Sequence, residues 1–488
     1  MFALGSGYWP VLLFSIDWGL RLLLAGVVIS RRRPVAVTLA WLAVLVFVPV
    51  IGLIAYVLVG ENRLGRRRIR RYEVLTKGIE VEAVRVWHHR HLESQGIDEM
   101  YAPIARFGLN ATGFPPLRNN RLSCLNNTSD FIDCVCADIA AAKHHVHIQT
   151  YIWQPTGAGV KVVQCLIDAS KRGVLCRVLV DAVGSKAFLA SDLPRRLSEA
   201  GVRVVQALPA NILRAAFQRL DLRNHRKIIV VDGRVAYAGS QNITDTMFRS
   251  APHRRTGPWV DASLRIEGPA VYALQAVFLR DWMLDSDEAI GALDQYIPPV
   301  TVRAEHPCVV QVIPSGPGAA PDAIHQAILT TIYSARDELV MTTPYFVPDD
   351  ATRTALQAAA MRGVSVTLVM PKVSDSRLVA AASRAHYLDL LESGVKIHHY
   401  RGGLLHAKTM TVDKDICLIG SANMDARSFW LNFEVTLFIY DDDFSSAMRF
   451  LQGGYLAESD EVHLEEWRLR PRWEVFRDNV AQLLGPLL

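Results

Sequence analysis

At 488 residues the chain exceeds what one compact core holds and points to two or three domains. Half of it is hydrophobic, 21% is charged, and 53 Lys and Arg against 48 Asp and Glu leave a net charge of +5. This balance excludes a disordered chain, a collagen-like repeat and a polytopic transporter, and suits a globular body with a small membrane portion. Lysine is scarce, 10 residues against 43 arginines, so a Lys at a repeated spacing carries information.

Two apolar stretches come first. Residues 8–29 contain Asp17 and Arg21, four apart and so able to pair on one helical face. This stretch reads as a membrane span, with a re-entrant or interfacial segment as the alternative. Residues 37–59 carry no charge over 23 residues. They make roughly 34 Å of helix and read as a membrane span that Pro49 merely kinks. A cleaved signal peptide is the competing reading, but residues 1–10 lack Lys and Arg. Arg31, Arg32 and Arg33 separate the stretches, and Arg63, Arg66, Arg67, Arg68, Arg70 and Arg71 follow the second. In a hairpin both ends share one side, so six arginines outvote three and put the body in the cytoplasm. The same arginines suit anionic headgroups. Residues 1–72 are thus expected to anchor the chain, with 73–115 as a linker.

The seven cysteines form no C-x-x-C pair, which argues against both a disulfide framework and a structural zinc site. Cys134-x-Cys136 lies in an apolar periodic stretch and reads as core.

Beyond residue 115 the chain repeats itself. HHVHIQTYIW (144–153), RGVLCRVLV (172–180) and AGVRVVQ (200–206) read as strands separated by helices. ELVMTTPYFV (338–347), RGVSVTLVM (362–370) and SGVKIHHY (393–400) repeat that order. Alternating helices and β-branched apolar runs predict an α/β body with buried strands. QYIPPVTV (295–302) is the natural boundary, giving repeats over 116–297 and 303–488.

At an offset of 181 the repeats agree in their chemistry. His225-x-Lys227-x4-Asp232 matches His406-x-Lys408-x4-Asp413, and Gly239-Ser240-x-Asn242 matches Gly420-Ser421-x-Asn423. On a strand, H-x-K puts imidazole and ammonium on one face. Two such halves about a pseudo-twofold axis converge on a pocket for one anionic group, most naturally a phosphate. Lys227, Lys408, Asn242, Asn423, Ser240 and Ser421 are its expected donors. No carboxylate cluster with metal-ligand spacing accompanies them and no G-x-x-x-x-G-K-[ST] loop is present, so no metal and no cofactor is expected. Two histidines without a metal point to covalent phosphoryl transfer: one attacks phosphorus, the other protonates the departing alcohol. His144-His145-x-His147 and His398-His399 sit among alternating apolar residues and read as structural.

Paired H-x-K-x4-D with a trailing G-S-x-N resembles the phospholipase D superfamily. DLRNHRKIIVVDG (221–233), TPYFVPD (343–349), GSANMDARSFWLNFE (420–434) and an apolar N-terminus ending in GENRLGRRR (60–68) look like bacterial cardiolipin synthase, over essentially the whole chain. The resemblance implies an α/β fold of two phospholipase D-type repeats behind an N-terminal membrane hairpin. It implies a phosphatidyltransferase, multi-pass in the bacterial inner membrane, that converts two phosphatidylglycerol molecules to cardiolipin and glycerol through a phosphohistidine. Its catalytic set would be His225, Lys227, Asp232, His406, Lys408 and Asp413, with His225 as the family's nucleophile; the near-equivalent halves leave that order open. Glu434 would orient an imidazole through Nδ1, and Asp261 takes the matching place in the first repeat, despite eight extra residues between Asn242 and Asp261. Asp232 and Asp413 suit a turn better than acid or base work.

Partners are then phosphatidylglycerol, cardiolipin and the bilayer. Nucleic acid is not expected, since the charge is mild and no basic groove interleaved with aromatics stands out. A superfamily nuclease, a phosphatidylserine synthase, a hydrolytic phospholipase D and an inactive scaffold are the rival readings. The extra segment 210–224 places Ile212, Leu213, Ala216, Phe217 and Leu220 at helical spacing, which suits an amphipathic helix dipping into lipid or a helix packed on the body.

Overall fold

The computed structural model describes residues 8–31, 35–56, 60, 66–89, 97–209, 219, 221–247, 256–286, 288, 290–291, 293–296, 298, 307–318, 320–483 and 485. The chain divides into two compact units, Met1–Arg66 with Ala210–Asp221, and Arg67–Pro209 with Leu222–Leu488. The hydrophobic positions proposed for a helix over 210–224 (Ile212, Leu213, Ala216, Phe217, Leu220) lie outside the described residues.

In the first unit, helix α1 (Tyr8–Ser30) is unbroken, and within it Val11–Ser30 is long and apolar enough to cross a membrane. Asp17 and Arg21 pair along it as their spacing predicts. The second apolar stretch departs from expectation. It is not one kinked span but two helices, α2 (Val35–Phe47) and α3 (Pro49–Ala55), broken at Val48, whose φ of −132° and ψ of 69° leave the helical region. Pro49 stands in the first turn of α3, where its missing N–H costs nothing, instead of inside a continuous helix. Arg21 donates to the carbonyl of Val46 near the break at 2.9 Å. Val28, Leu45 and Tyr56 pack into one small core, so the chain after α1 returns along it.

The second unit carries two helices in the stretch expected to be linker, α4 (Arg66–His89) and α5 (Ala102–Thr112). Arg68 and Arg71 of α4 are engaged by the body: Arg68 pairs with Asp285 at 2.7 Å and Arg71 donates to the carbonyl of Ser286 at 2.9 Å. Both acceptors lie at the C-terminus of helix Ala270–Asp285, where the helix dipole favours a cation.

The first repeat supplies strands β1 (Leu117–Leu125), β2 (His145–Thr150), β3 (Leu175–Asp181), β4 (Arg203–Ala207), β5 (Arg223–Asn224), β6 (Ile228–Val231), β7 (Val235–Gly239), β8 (Trp259–Val260) and β9 (Ser263–Glu267). The second supplies β10 (Cys308–Ser315), β11 (Glu338–Thr342), β12 (Phe346–Val347), β13 (Ser365–Pro371), β14 (Lys396–Tyr400), β15 (Leu404–Leu405), β16 (Thr409–Val412), β17 (Ile416–Gly420), β18 (Met424–Asp425), β19 (Asn432–Tyr440) and β20 (Ser459–Glu461). Reading outward from the centre, the order β1-β9-β7-β6-β2-β3-β4 in one repeat is matched by β10-β19-β17-β16-β11-β13-β14 in the other, with β20 beyond. The repeats join where β1 pairs antiparallel with β10, so a single sheet runs through both.

β2 is buried at every position because helices cover both faces. Val146 and Ile148 pack with helices Thr128–Ala141 and Ala158–Lys171 on one side. The nearly all-buried helix Ala270–Asp285 covers the other, in a core shared with Val310, Ile419 and Leu437 of the second repeat. The twice-used R-G-V is a helix stop. Gly173 and Gly363 take φ of 90° and 96°, and the following Val174 and Val364 each donate back to the preceding helix, to Ala169 and Ala359, both at 3.1 Å.

Candidate active site

Each histidine enters the site on a short strand that pairs with the opposite repeat. β5, just before His225, pairs in parallel with the start of β19, and the His225 amide donates to Phe433 O at 2.9 Å. β15, just before His406, pairs in parallel with β8, and the His406 amide donates to Val260 O at 2.7 Å. In each partner segment the residue directly after that acceptor is a carboxylate, Glu434 after Phe433 and Asp261 after Val260. Glu434 therefore meets His225 Nδ1 at 2.9 and 3.0 Å, and Asp261 meets His406 Nδ1 at 2.6 Å. The orienting carboxylates are exchanged between repeats, which fixes Nδ1 on each ring and leaves Nε2 for chemistry.

Both histidines line one cavity of about 410 Å³, together with Asn242 and Asn423. Asn242 accepts from the Ile152 amide at 3.0 Å, and its buried Nδ2 has no partner among the described residues. The Asn423 carboxamide oxygen is likewise buried and unpartnered among the described residues. Lys227 and Lys408 do not line the cavity. They lie buried behind it and donate to the carbonyls of His225 and His406 at 2.6 and 2.7 Å.

Ser240 and Ser421, expected among the phosphate donors, stand in a supporting place: Ser240 donates to Asp261 at 2.6 Å and Ser421 to Glu434 at 2.5 Å, so both hydroxyls are committed to the carboxylates. The preceding glycines allow this approach, because a Cβ on Gly239 or Gly420 would meet the neighbouring strand's carbonyl oxygen at 2.6 or 2.5 Å. Asp232 and Asp413, counted with the catalytic set, are absent from the cavity lining. Each sits at the far end of its strand and accepts three backbone amides at 2.8–3.0 Å, from Lys143, His144 and His145 or from Arg336, Asp337 and Glu338. Both fix a turn, at φ of 53°.

His145 and His147 share Gln275 and are buried away from the cavity, and His399 contacts the Tyr387 hydroxyl at 3.2 Å.

The residues between His and Lys differ. Arg226 is fully buried, paired with Asp281 at 2.6 Å, and donates to the carbonyls of Ser315 and Glu434. Its counterpart is Ala407.

Burial dominates the electrostatics. It pulls the His225 imidazole down to about 4 and the His406 imidazole down to about 3, which keeps both neutral at pH 7. Burial lowers Lys408 to about 7 and Lys227 well below its ordinary value. It pushes Asp261 and Glu434 up, but the facing imidazoles, lysines and serines outweigh it and hold both carboxyls below their usual range.

The family model described as "Cardiolipin synthase, PLD-like domain" matches residues 135–282 and 328–450, and the one described as "Phospholipase_D-nuclease N-terminal" matches residues 20–61. Proteins named cardiolipin synthase A from Yersinia pseudotuberculosis (serotype O:1b, strain IP 31758) and Yersinia pestis are 38% identical over 99% of this chain and 99% of their own. The chain belongs to the cardiolipin synthase family. A crystal structure of a phosphatidylserine synthase from Haemophilus influenzae Rd KW20 has the same fold. It aligns with a TM-score of 0.58 at 16% identity, over 79% of this chain and 100% of that one. Family membership and the N-terminal helix of membrane length make this a membrane-associated protein.

As a cardiolipin synthase family member the chain carries cavity residues that its H-x-K motifs do not reveal: Tyr151, Arg223, Trp259, Tyr345, Asp375 and Arg427. Tyr151 stands edge-on to the His225 ring at 4.8 Å, and Trp259 covers His406 at 4.5 Å. The Tyr345 hydroxyl donates to Asp375 at 2.8 Å. Arg223 had a signal in the sequence, two residues before His225 and so on the same side of an extended strand. Tyr345 lies within the TPYFVPD stretch, whereas Asp375 had no signal of its own, and the two, 30 residues apart, are brought together only by the fold.

Proposed function

We propose that the chain transfers a phosphatidyl group from one phosphatidylglycerol to another, giving cardiolipin and glycerol. The observation that carries this is the crossed pair of histidines, each held at Nδ1 by the other repeat's carboxylate and both facing one cavity. Nε2 of one ring, His225 in our assignment, attacks phosphorus, and the P–O bond to glycerol breaks. The other ring, His406, gives its proton to that oxygen. It then takes the proton of the second lipid's hydroxyl, which attacks phosphorus and breaks the P–N bond, so protons and bonds balance. A phosphodiester anion beside them favours the charged forms of both imidazoles and both lysines, which supplies the proton that the leaving glycerol needs. Asn242 and Asn423 hold the non-bridging oxygens, with Lys227 and Lys408 behind them.

The substrates are lipids and no nucleic acid is bound. The anchor is a two-crossing hairpin in the bacterial inner membrane, with α2 and α3 as the return limb, and the arginine count puts the body on the cytoplasmic side. The antiparallel packing of Val28 with Leu45 and Tyr56 supports the hairpin.

Purified protein given phosphatidylglycerol in the presence of EDTA is expected to yield cardiolipin and free glycerol. Phosphatidic acid as the sole product would overturn the reading in favour of a hydrolase.

A further inference from the structure

Helix Arg472–Gln482 wears its polarity inside out. Its buried residues are Asp478 and Ala481, and Asp478 is held by Arg384 at 3.0 Å together with Arg470 and Arg477. Its outward face carries Trp473, Phe476, Val480 and Leu483 at spacings of three and four, exposed by 62%, 71%, 44% and 79%. An ordinary surface helix turns such a stripe to the core. Here ion pairs dock the helix and the apolar stripe faces out.

We propose that this stripe is an interfacial patch that lies against an anionic bilayer beside the catalytic cavity. Trp and Phe on one face with Arg472 and Arg477 beside them is the composition of a helix lying in the headgroup region. Eleven residues, about three turns, are too few for a stable coiled coil with a second copy. The helix packs on Arg377–Arg384, and its Ala481 joins a small core with Val347 and Val379, both of which also line the cavity. Leu378, on the same supporting helix, is itself exposed. The patch thereby holds the mouth of the cavity against the lipid from which substrate enters. The choice of a bilayer rests on the lipid-transfer function proposed above, whereas the outward stripe does not.

The test is photo-crosslinking in the full chain with Phe476→p-benzoylphenylalanine, reconstituted in vesicles of phosphatidylcholine and phosphatidylserine. Neither lipid is the proposed substrate, so the result does not depend on turnover. A chain carrying the added mass of one phospholipid is expected; a chain–chain adduct, or no lipid adduct, would overturn the proposal. In a second arm, Trp473→Ser with Phe476→Ser should lower turnover of phosphatidylglycerol in vesicles by about 10-fold and leave turnover in detergent micelles within about two-fold. Trp473→Leu with Phe476→Leu should retain vesicle turnover. Equal losses in vesicles and micelles, or no loss in vesicles, would show that the stripe has no interfacial role.

Discussion

The two half-sites share a plan and differ in how tightly it is held. Glu434 contacts His225 with both oxygens and also accepts from Ser421 and Asn432, so every donor position around it is used. Asp261 takes His406 and Ser240 on a single oxygen, and its Oδ2 is buried with no partner among the described residues. The His225 half is further pinned by the buried Arg226–Asp281 pair, where the other half has only Ala407. A duplicated motif has thus become one over-determined histidine and one with slack. That suits a division of labour in which one ring holds the phosphatidyl group and the other passes a proton to and fro.

The largest effect should come from the rings themselves. His225→Ala and His406→Ala are each expected to cut turnover by at least about 10⁴-fold. Acyl-labelled phosphatidylglycerol should leave covalent label on His406→Ala protein and none on His225→Ala; the reverse pattern would exchange the assigned roles.

The carboxylates sharpen the contrast. In Glu434→Gln the new NH₂ must face a donor, whichever way the amide turns, whereas in Asp261→Asn it can occupy the unpartnered Oδ2 position. Turnover should therefore fall by about 10²–10³-fold at 434 and about 10-fold at 261. Equal losses would mean that the asymmetry has no kinetic meaning.

Stability should divide the halves as well. Asp281→Ala leaves the Arg226 guanidinium buried without its ion-pair partner and should cost about 3–5 kcal/mol in chemical denaturation. Asp232→Ala and Asp413→Ala each strip three backbone amides of their acceptor. They should cost about 1–3 kcal/mol apiece, by an equal amount in the two repeats, with kcat retained in the folded protein.

The smallest effect is on pH dependence. His225 and His406 are lowered in the fold to about 4 and about 3 from an ordinary 6.5. As pH falls from 6.5 towards 4 the unfolded chain takes up protons that the native state refuses, so stability is lost across that window. The melting temperature should fall between pH 7 and pH 5, and less steeply in His406→Ala.

The sequence exposed whatever is repeated. Two H-x-K motifs, two G-S-x-N motifs and two R-G-V helix stops led to the α/β repeats and to the histidines, because each is a local pattern with a local cause. It was silent where the cause is non-local. The serines read as phosphate donors because spacing cannot reveal that a carboxylate on the next strand claims the hydroxyl first. Which imidazole each carboxylate serves is settled by the pairing of β5 with β19 and of β15 with β8, strands of two residues with no signature of their own. Pro49 was read as a kink since hydropathy does not register a missing N–H, and the linker hid two helices because α4 is too polar for an apolar periodicity to stand out.

The crossed carboxylates make the lobes interdependent. A lone lobe would possess an imidazole, an ammonium and a carboxylate aimed at nothing of its own, and its ring would be free to choose the wrong tautomer. Each lobe's imidazole is therefore held in its tautomer by the other lobe, so the loss of one carboxylate is felt at the histidine of the opposite repeat.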